Sequence, residues 1–165
     1  ERPACVNTRR RIGDWEVDTM LGKQQKHAML TLTERKSRFT LIGKVSRRTA
    51  RAVRRQVCRL LLPIQDKVHT LTSDHGKEFA EHELIAETLQ LQFYFAHPYA
   101  AWERGTNENT NGLLRQYFPK KSDFKTISNK KIEQTTSKLN FRPRKTLRFK
   151  TPFEVFYHTT VALTT

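Results

Sequence analysis

The stretch Ile12-Gly13-Asp14-Trp15-Glu16-Val17-Asp18-Thr19 alternates, with Trp15, Val17 and Thr19 on one side and Asp14, Glu16 and Asp18 on the other. Such a pattern predicts a strand with an acidic face. Further along, residues 28–33 and 38–45 read as two more strands, with Glu34-Arg35-Lys36-Ser37 as the hairpin connection. A helix is expected next over 49–62. Its apolar positions Ala50, Val53, Val57, Leu60 and Leu61 keep helical spacing, Arg51, Arg54, Arg55 and Arg59 lie largely opposite, and Pro63 ends it.

Residues 68–73 predict a fourth strand ending at Asp74-His75-Gly76, 81–89 a short helix, and 91–96 a fifth strand rich in aromatics. A loop through Pro98, Trp102 and Gly105 leads to a helix over 106–117, and another is expected over 128–139. Residues 141–150 are basic, and 152–157 read as a last helical turn opened by Pro152. Three strands, a helix, a strand, a helix, a strand and then helices predict one α/β domain, a mixed five-stranded sheet with helices on both faces. This order resembles the ribonuclease H-like arrangement. Residues 1–11 read as a basic linker or arm, 12–158 as the core domain and 159–165 as a tail. The chain begins with Glu1 rather than Met, which predicts a piece of a longer protein with domains upstream.

A chain of 165 residues is large enough to bury a sizeable core, and 36% hydrophobic content organised into clear segments argues against wholesale disorder. Thirty-one Lys and Arg against 16 Asp and Glu give a net charge of +15. A domain this basic points to a polyanion, most commonly nucleic acid, although a basic solubility surface has the same composition. No apolar run approaches the ~20 residues of a spanning helix, so no membrane partner is expected. Cys5 and Cys58 form no metal or disulfide framework and suit a reducing cytoplasm, and the start of the chain has no signal-peptide core.

Three acids stand out by position. Asp18 lies within the first strand, Asp74 at the C-terminal end of the fourth, and Glu108 in the first turn of the helix after the fifth. If the first and fourth strands are neighbours, Asp18 and Asp74 meet, and the helix can lean Glu108 towards them. Three carboxylates in one place repel unless cations neutralise them, and hard oxygen ligands select magnesium or manganese. Each acid also has an ordinary explanation. Asp18 shares its face with Asp14 and Glu16 as solvated acids, Asp74 before His75-Gly76 suits a turn, and Glu108 suits a helix dipole.

Positions 75–107 put 33 residues between Asp74 and Glu108, and this spacing resembles the DD(33)E signature of bacterial insertion-sequence transposases of the insertion-sequence-thirty type, within the retroviral integrase superfamily. The resemblance is carried by Trp15-Glu16-Val17-Asp18-Thr19, by Ser73-Asp74-His75-Gly76-Lys77-Glu78-Phe79 and by the run from Pro98 to Lys120 around Glu108. Leu139-Asn140-Phe141-Arg142-Pro143-Arg144-Lys145 and Lys150-Thr151-Pro152 resemble the C-terminal pattern. Val17 stands where many members have Gly, and His75 where many have Asn; both flank the carboxylates. His75 and His82 have no further ligands at zinc spacing, so His75 is expected to pack or to lie near DNA.

The resemblance implies that Asp18, rather than Asp14 or Glu16, is the first catalytic acid. It implies a magnesium- or manganese-dependent transposase whose Asp18, Asp74 and Glu108 hold two ions about 3.5–4 Å apart for strand cleavage and strand transfer. A retroviral-type integrase, a nuclease of the same fold and an inactive DNA-binding regulator are the competing readings. DNA, at element ends and target, is the expected partner, bound by a homodimer or higher oligomer in the bacterial cytoplasm at the nucleoid. Lys77, Arg104, Asn107, Asn111, Arg115, Lys120, Lys121, Arg142, Arg144 and Lys145 are the expected DNA contacts, and Trp102 is expected to stack on a base or to pack.

Overall fold

The computed structural model describes residues 3–23, 27–97 and 104–160. The arm holds a short helix, α1 (Ala4–Thr8), with Val6 buried. β1 (Asp14–Leu21), β2 (Ala28–Glu34) and β3 (Thr40–Val45) then form an antiparallel meander. Helix α2 (Ala50–Leu61) leads to β4 (Thr70–Ser73), and α3 (His82–Leu89) to β5 (Gln92–Phe95). Helices α4 (Gly105–Leu114), α5 (Asn129–Asn140) and α6 (Pro152–Tyr157) follow. The strand order is β3-β2-β1-β4-β5, with β4 parallel to β1 and β5 parallel to β4. This is the mixed five-stranded sheet expected from the order of elements.

Every residue of β2 is buried, because both faces of the sheet are covered. One face packs Trp15, Val17, Leu30, Leu32 and Leu71 against Val53, Val57 and Leu61 of α2 and Ile85 and Leu89 of α3. Phe156 of α6 joins this layer, stacking on Phe39 at 4.4 Å and meeting Trp15 edge-on. The opposite face packs Met20, Met29 and Ile42 against Leu114 of α4 and Ile132 and Leu139 of α5.

Burial on both faces corrects one expectation. The acidic side of β1 is not solvated: Asp14 and Glu16 are fully buried. Asp14 pairs with Arg11 at 2.9 Å and accepts from the Thr70 hydroxyl, while Glu16 pairs with the buried Arg35 at 2.7 Å. These acids tie elements together, leaving Asp18, further along the same side, to face the site.

Element ends follow local chemistry. Thr49 and Ser128 cap α2 and α5, and Thr151 with Glu154 forms a capping box on α6. The α-helix ends at Leu61, one residue short of the expected 62, and the chain continues through a 3₁₀ stretch, Leu62–Lys67, whose first turn accepts Pro63 because its missing N–H is not needed there. Strand β3 begins later than expected, since Arg38 closes the hairpin with φ 65°. Helix α4 stops at Leu114 rather than at 117, where the amides of Tyr117 and Phe118 both turn back onto the Leu114 carbonyl.

Candidate active site

Strand β1 delivers Asp18 to the side of the sheet beneath α4. Its Oδ1 accepts the Thr19 amide at 2.8 Å, and its Oδ2 accepts the Asn111 side-chain amide at 2.9 Å. Asn111 Oδ1 in turn accepts the Thr31 hydroxyl of β2 at 2.9 Å, so one side chain of α4 holds both the carboxylate and the neighbouring strand. Asp74 follows the last residue of β4, and its Oδ1 accepts the Gly76 amide at 2.9 Å, closing a turn. A Cβ at 76 would lie 2.4 Å from Glu78 Oε2 and 2.9 Å from Asp74 Oδ1, so a larger residue there would have to displace both carboxylates.

Because β1 and β4 are adjacent and parallel, the two aspartates share one cation. Arg104, at the N-terminus of α4, places Nη1 3.1 Å from Asp74 Oδ2 and 3.6 Å from Asp18 Oδ1. Burial pushes the Asp18 carboxyl above its usual range, Asp74 and Glu78 push it the same way, and Arg104 and the Thr19 amide pull against them. Positive charge at this position, as Arg104 supplies, favours the ionised carboxylate.

Glu78 was not among the expected site residues. It is buried beside the aspartates, forms an ion pair with Arg48 and accepts the Thr19 hydroxyl at 2.8 Å. Burial works against its charge, but Arg48 and Thr19 outweigh it and hold the carboxyl below its usual range. Its place four residues after Asp74, next to the turn that Gly76 makes, was the signal available in the sequence.

Glu108 is exposed, one turn after Arg104 and three residues before Asn111, on the flank of α4 that carries both. Among the described residues, no three His, Cys, Asp or Glu side chains stand close enough to share a metal ion. The structure thus brings Asp18 and Asp74 together and leaves Glu108 near them on the helix but outside the pair. The donor set still fits a divalent cation: carboxylate oxygens converge where a guanidinium already supplies positive charge, and hard oxygen donors suit magnesium or manganese.

The expected DNA contacts divide. Asn107 does not reach the surface. It is 1% exposed, its amide donates to Glu16 at 2.7 Å, its Oδ1 accepts the Thr33 hydroxyl and its Nδ2 donates to the Thr31 carbonyl, fastening α4 to the sheet. Asn111 is half-buried on Asp18, and Arg115 donates to the Leu21 carbonyl at the end of β1 at 3.2 Å. Lys77, Lys120, Lys121, Arg142 and Lys145 are exposed, while Arg144 is half-buried and donates to the Leu139 carbonyl. His75 stacks on Phe95 at 4.9 Å and His82 meets the same ring edge-on. Trp102 lies outside the described residues.

The fold and site define a ribonuclease H-like domain with a carboxylate centre where β1 meets β4. The family model of the integrase core domain matches residues 9–101, and the chain belongs to that family. It is 48% identical over 94% of its length to the transposase for insertion sequence element IS4351 of Bacteroides fragilis, and 39% identical over 94% to transposase InsI for insertion sequence element IS30A of Escherichia coli (strain K12). The chain spans 48% and 40% of those two proteins, less than half of each. Among solved structures it resembles the HTLV-2 integrase catalytic core domain in complex with magnesium, with a TM-score of 0.66 and 16% identity over 88% of this chain and 97% of that one. That likeness establishes the ribonuclease H-like fold.

Proposed function

We propose that this chain is the catalytic core of a DNA transposase that cleaves and joins strands at the ends of an insertion sequence, with Asp18, Asp74 and Glu108 holding two magnesium or manganese ions. The observation that carries this reading is the convergence of Asp18 and Asp74 on a single cation, with Glu108 one turn along the helix that supplies it. Such ions, when bound, activate a water or a DNA 3′-hydroxyl and stabilise the leaving oxygen during in-line displacement.

The protein's own groups prepare that chemistry. Asn111 and the Thr19 amide fix the Asp18 carboxylate before substrate arrives, and Gly76 fixes Asp74. Arg104 neutralises the aspartates and is free to turn towards a phosphate when another cation takes its place. Lys77, Lys120, Lys121, Arg142, Arg144 and Lys145 supply phosphate contacts that position DNA without reading its sequence. Assembly on paired DNA ends as a homodimer or larger oligomer completes the proposal.

The test uses the full-length protein and DNA carrying the element's own ends. Nicking that frees the 3′ ends in magnesium and stops on chelation is expected. A folded protein that leaves such DNA intact in magnesium and in manganese overturns the reading.

A further inference from the structure

On the flank of α4 turned away from the aspartates, a cavity of about 400 Å³ is lined by Arg9, Arg38 and Arg144, with Asn109, Thr110 and Thr146 among its other walls. The three arginines come from distant parts of the chain: the residue that closes α1, the β2–β3 hairpin and the segment after α5. No carboxylate lines this cavity among the described residues. Two of the guanidiniums are aimed by one hydrogen bond each. Arg38 donates to the Thr106 hydroxyl at 2.8 Å and Arg144 to the Leu139 carbonyl at 3.1 Å, which among the described residues leaves their other N–H groups available. Arg144 Nε is buried and has no hydrogen-bond partner among the described residues.

Gathering three like charges around one cavity is unfavourable unless an anion joins them. Burial holds the Arg38 guanidinium below its ordinary value, and Arg9 and Arg144 push the same way while Glu16 and Glu34 oppose them. The volume falls within the ~300–1,000 Å³ typical of ligand sites and leaves room beyond a phosphate for the adjoining sugar. Planar guanidinium forks match pairs of phosphate oxygens.

We propose that this cavity is a phosphate site that takes a backbone phosphodiester of bound DNA, separate from the carboxylate centre. The DNA identity of the ligand rests on the transposase reading; the preference for phosphate rests on the arginines alone. Residues 105, 109 and 113 of α4 line the cavity, whereas Arg104, Glu108 and Asn111 share the opposite flank. A strand gripped here is therefore held at a fixed offset from the acids by a single rigid helix.

Two variants test the site: Arg9→Gln, which removes a charge from a half-buried position, and Thr146→Glu, which adds an opposing charge at an exposed one. Binding of a short labelled duplex is followed against salt, and melting is followed with and without pyrophosphate. Each variant is expected to bind duplex about tenfold more weakly, and Arg9→Gln to lower the salt slope by about one phosphate contact. Pyrophosphate is expected to raise the melting temperature of the wild type and of neither variant. Wild-type affinity and wild-type pyrophosphate stabilisation in both variants overturn the site. If the wild type binds no duplex, the transposase reading falls and pyrophosphate decides the cavity alone: stabilisation confined to the wild type keeps a phosphate site, and any other pattern removes it.

Discussion

Arg104 Nη1 lies 3.1 Å from Asp74 Oδ2, so the positive charge at the carboxylate centre comes from the residue just ahead of the helix that carries Glu108. The same nitrogen faces Asp18, whose carboxyl is pushed up by burial and by its acidic neighbours. The guanidinium stands where the proposed function puts a metal ion, so under that proposal the two compete.

Replacing Arg104 by Gln removes that competitor. Without divalent ions the Arg104→Gln protein should melt below the wild type, because Asp18 and Asp74 then repel unrelieved. Manganese should raise its melting temperature by more than it raises that of the wild type, since binding to the folded state alone stabilises in proportion to affinity. A calorimetric melt in which manganese moves neither protein, or moves the wild type more, argues against a cation site between the aspartates.

Asn111 joins Asp18 to Thr31 through two hydrogen bonds. Asn111→Ala leaves both partners short of one bond and should cost about 1–2 kcal/mol, a fall of roughly 2–8 °C in Tm. Strand cleavage should fall further than stability alone explains, because Asp18 loses its support. Unchanged cleavage in the variant would show that Asp18 needs no help from α4.

Arg48 and Glu78 set a pH dependence. Glu78 is held below its usual range, so its pairing adds stability that is full above about pH 4.5 and is lost as pH falls through its folded value. In Arg48→Gln that contribution is absent. The gap in melting temperature between wild type and variant should be widest at neutral pH, about 3 °C, and should close below about pH 4.5. A gap that is the same at pH 7 and pH 3.5 would mean that Arg48 stabilises by packing rather than by charge.

The sheet was legible because its strands and crossover helices keep clean periods and short turns, as Val53, Val57 and Leu61 show on α2. The adjacency of β1 and β4 followed from the resemblance to a ribonuclease H-like sheet rather than from any local pattern, and with it the approach of Asp18 and Asp74 to one another. The fate of individual polar side chains was not legible. Alternation put Asp14, Glu16 and Asp18 on one side, but only tertiary packing decides that α4 and Arg35 bury Glu16 while Asp18 stays half-open. Helical spacing placed Asn107 near Glu108, yet a fraction of a turn is enough to direct it into the sheet. The Arg9, Arg38 and Arg144 cavity depends on three segments far apart in sequence, for which no local pattern gives a signal.

The central claim is that Asp18, Asp74 and Glu108 act together on metal. Its most direct test is magnesium-dependent nicking of element-end DNA by full-length wild type and by Asp18→Asn, Asp74→Asn and Glu108→Gln, each checked for folding by melting. All three variants should stay folded and lose nicking by at least about a thousandfold. Glu108→Gln matters most, since Glu108 stands apart from the aspartate pair in the structure. Wild-type nicking by a folded Glu108→Gln protein would contradict the three-acid centre and leave the chemistry to Asp18 and Asp74 with some other partner.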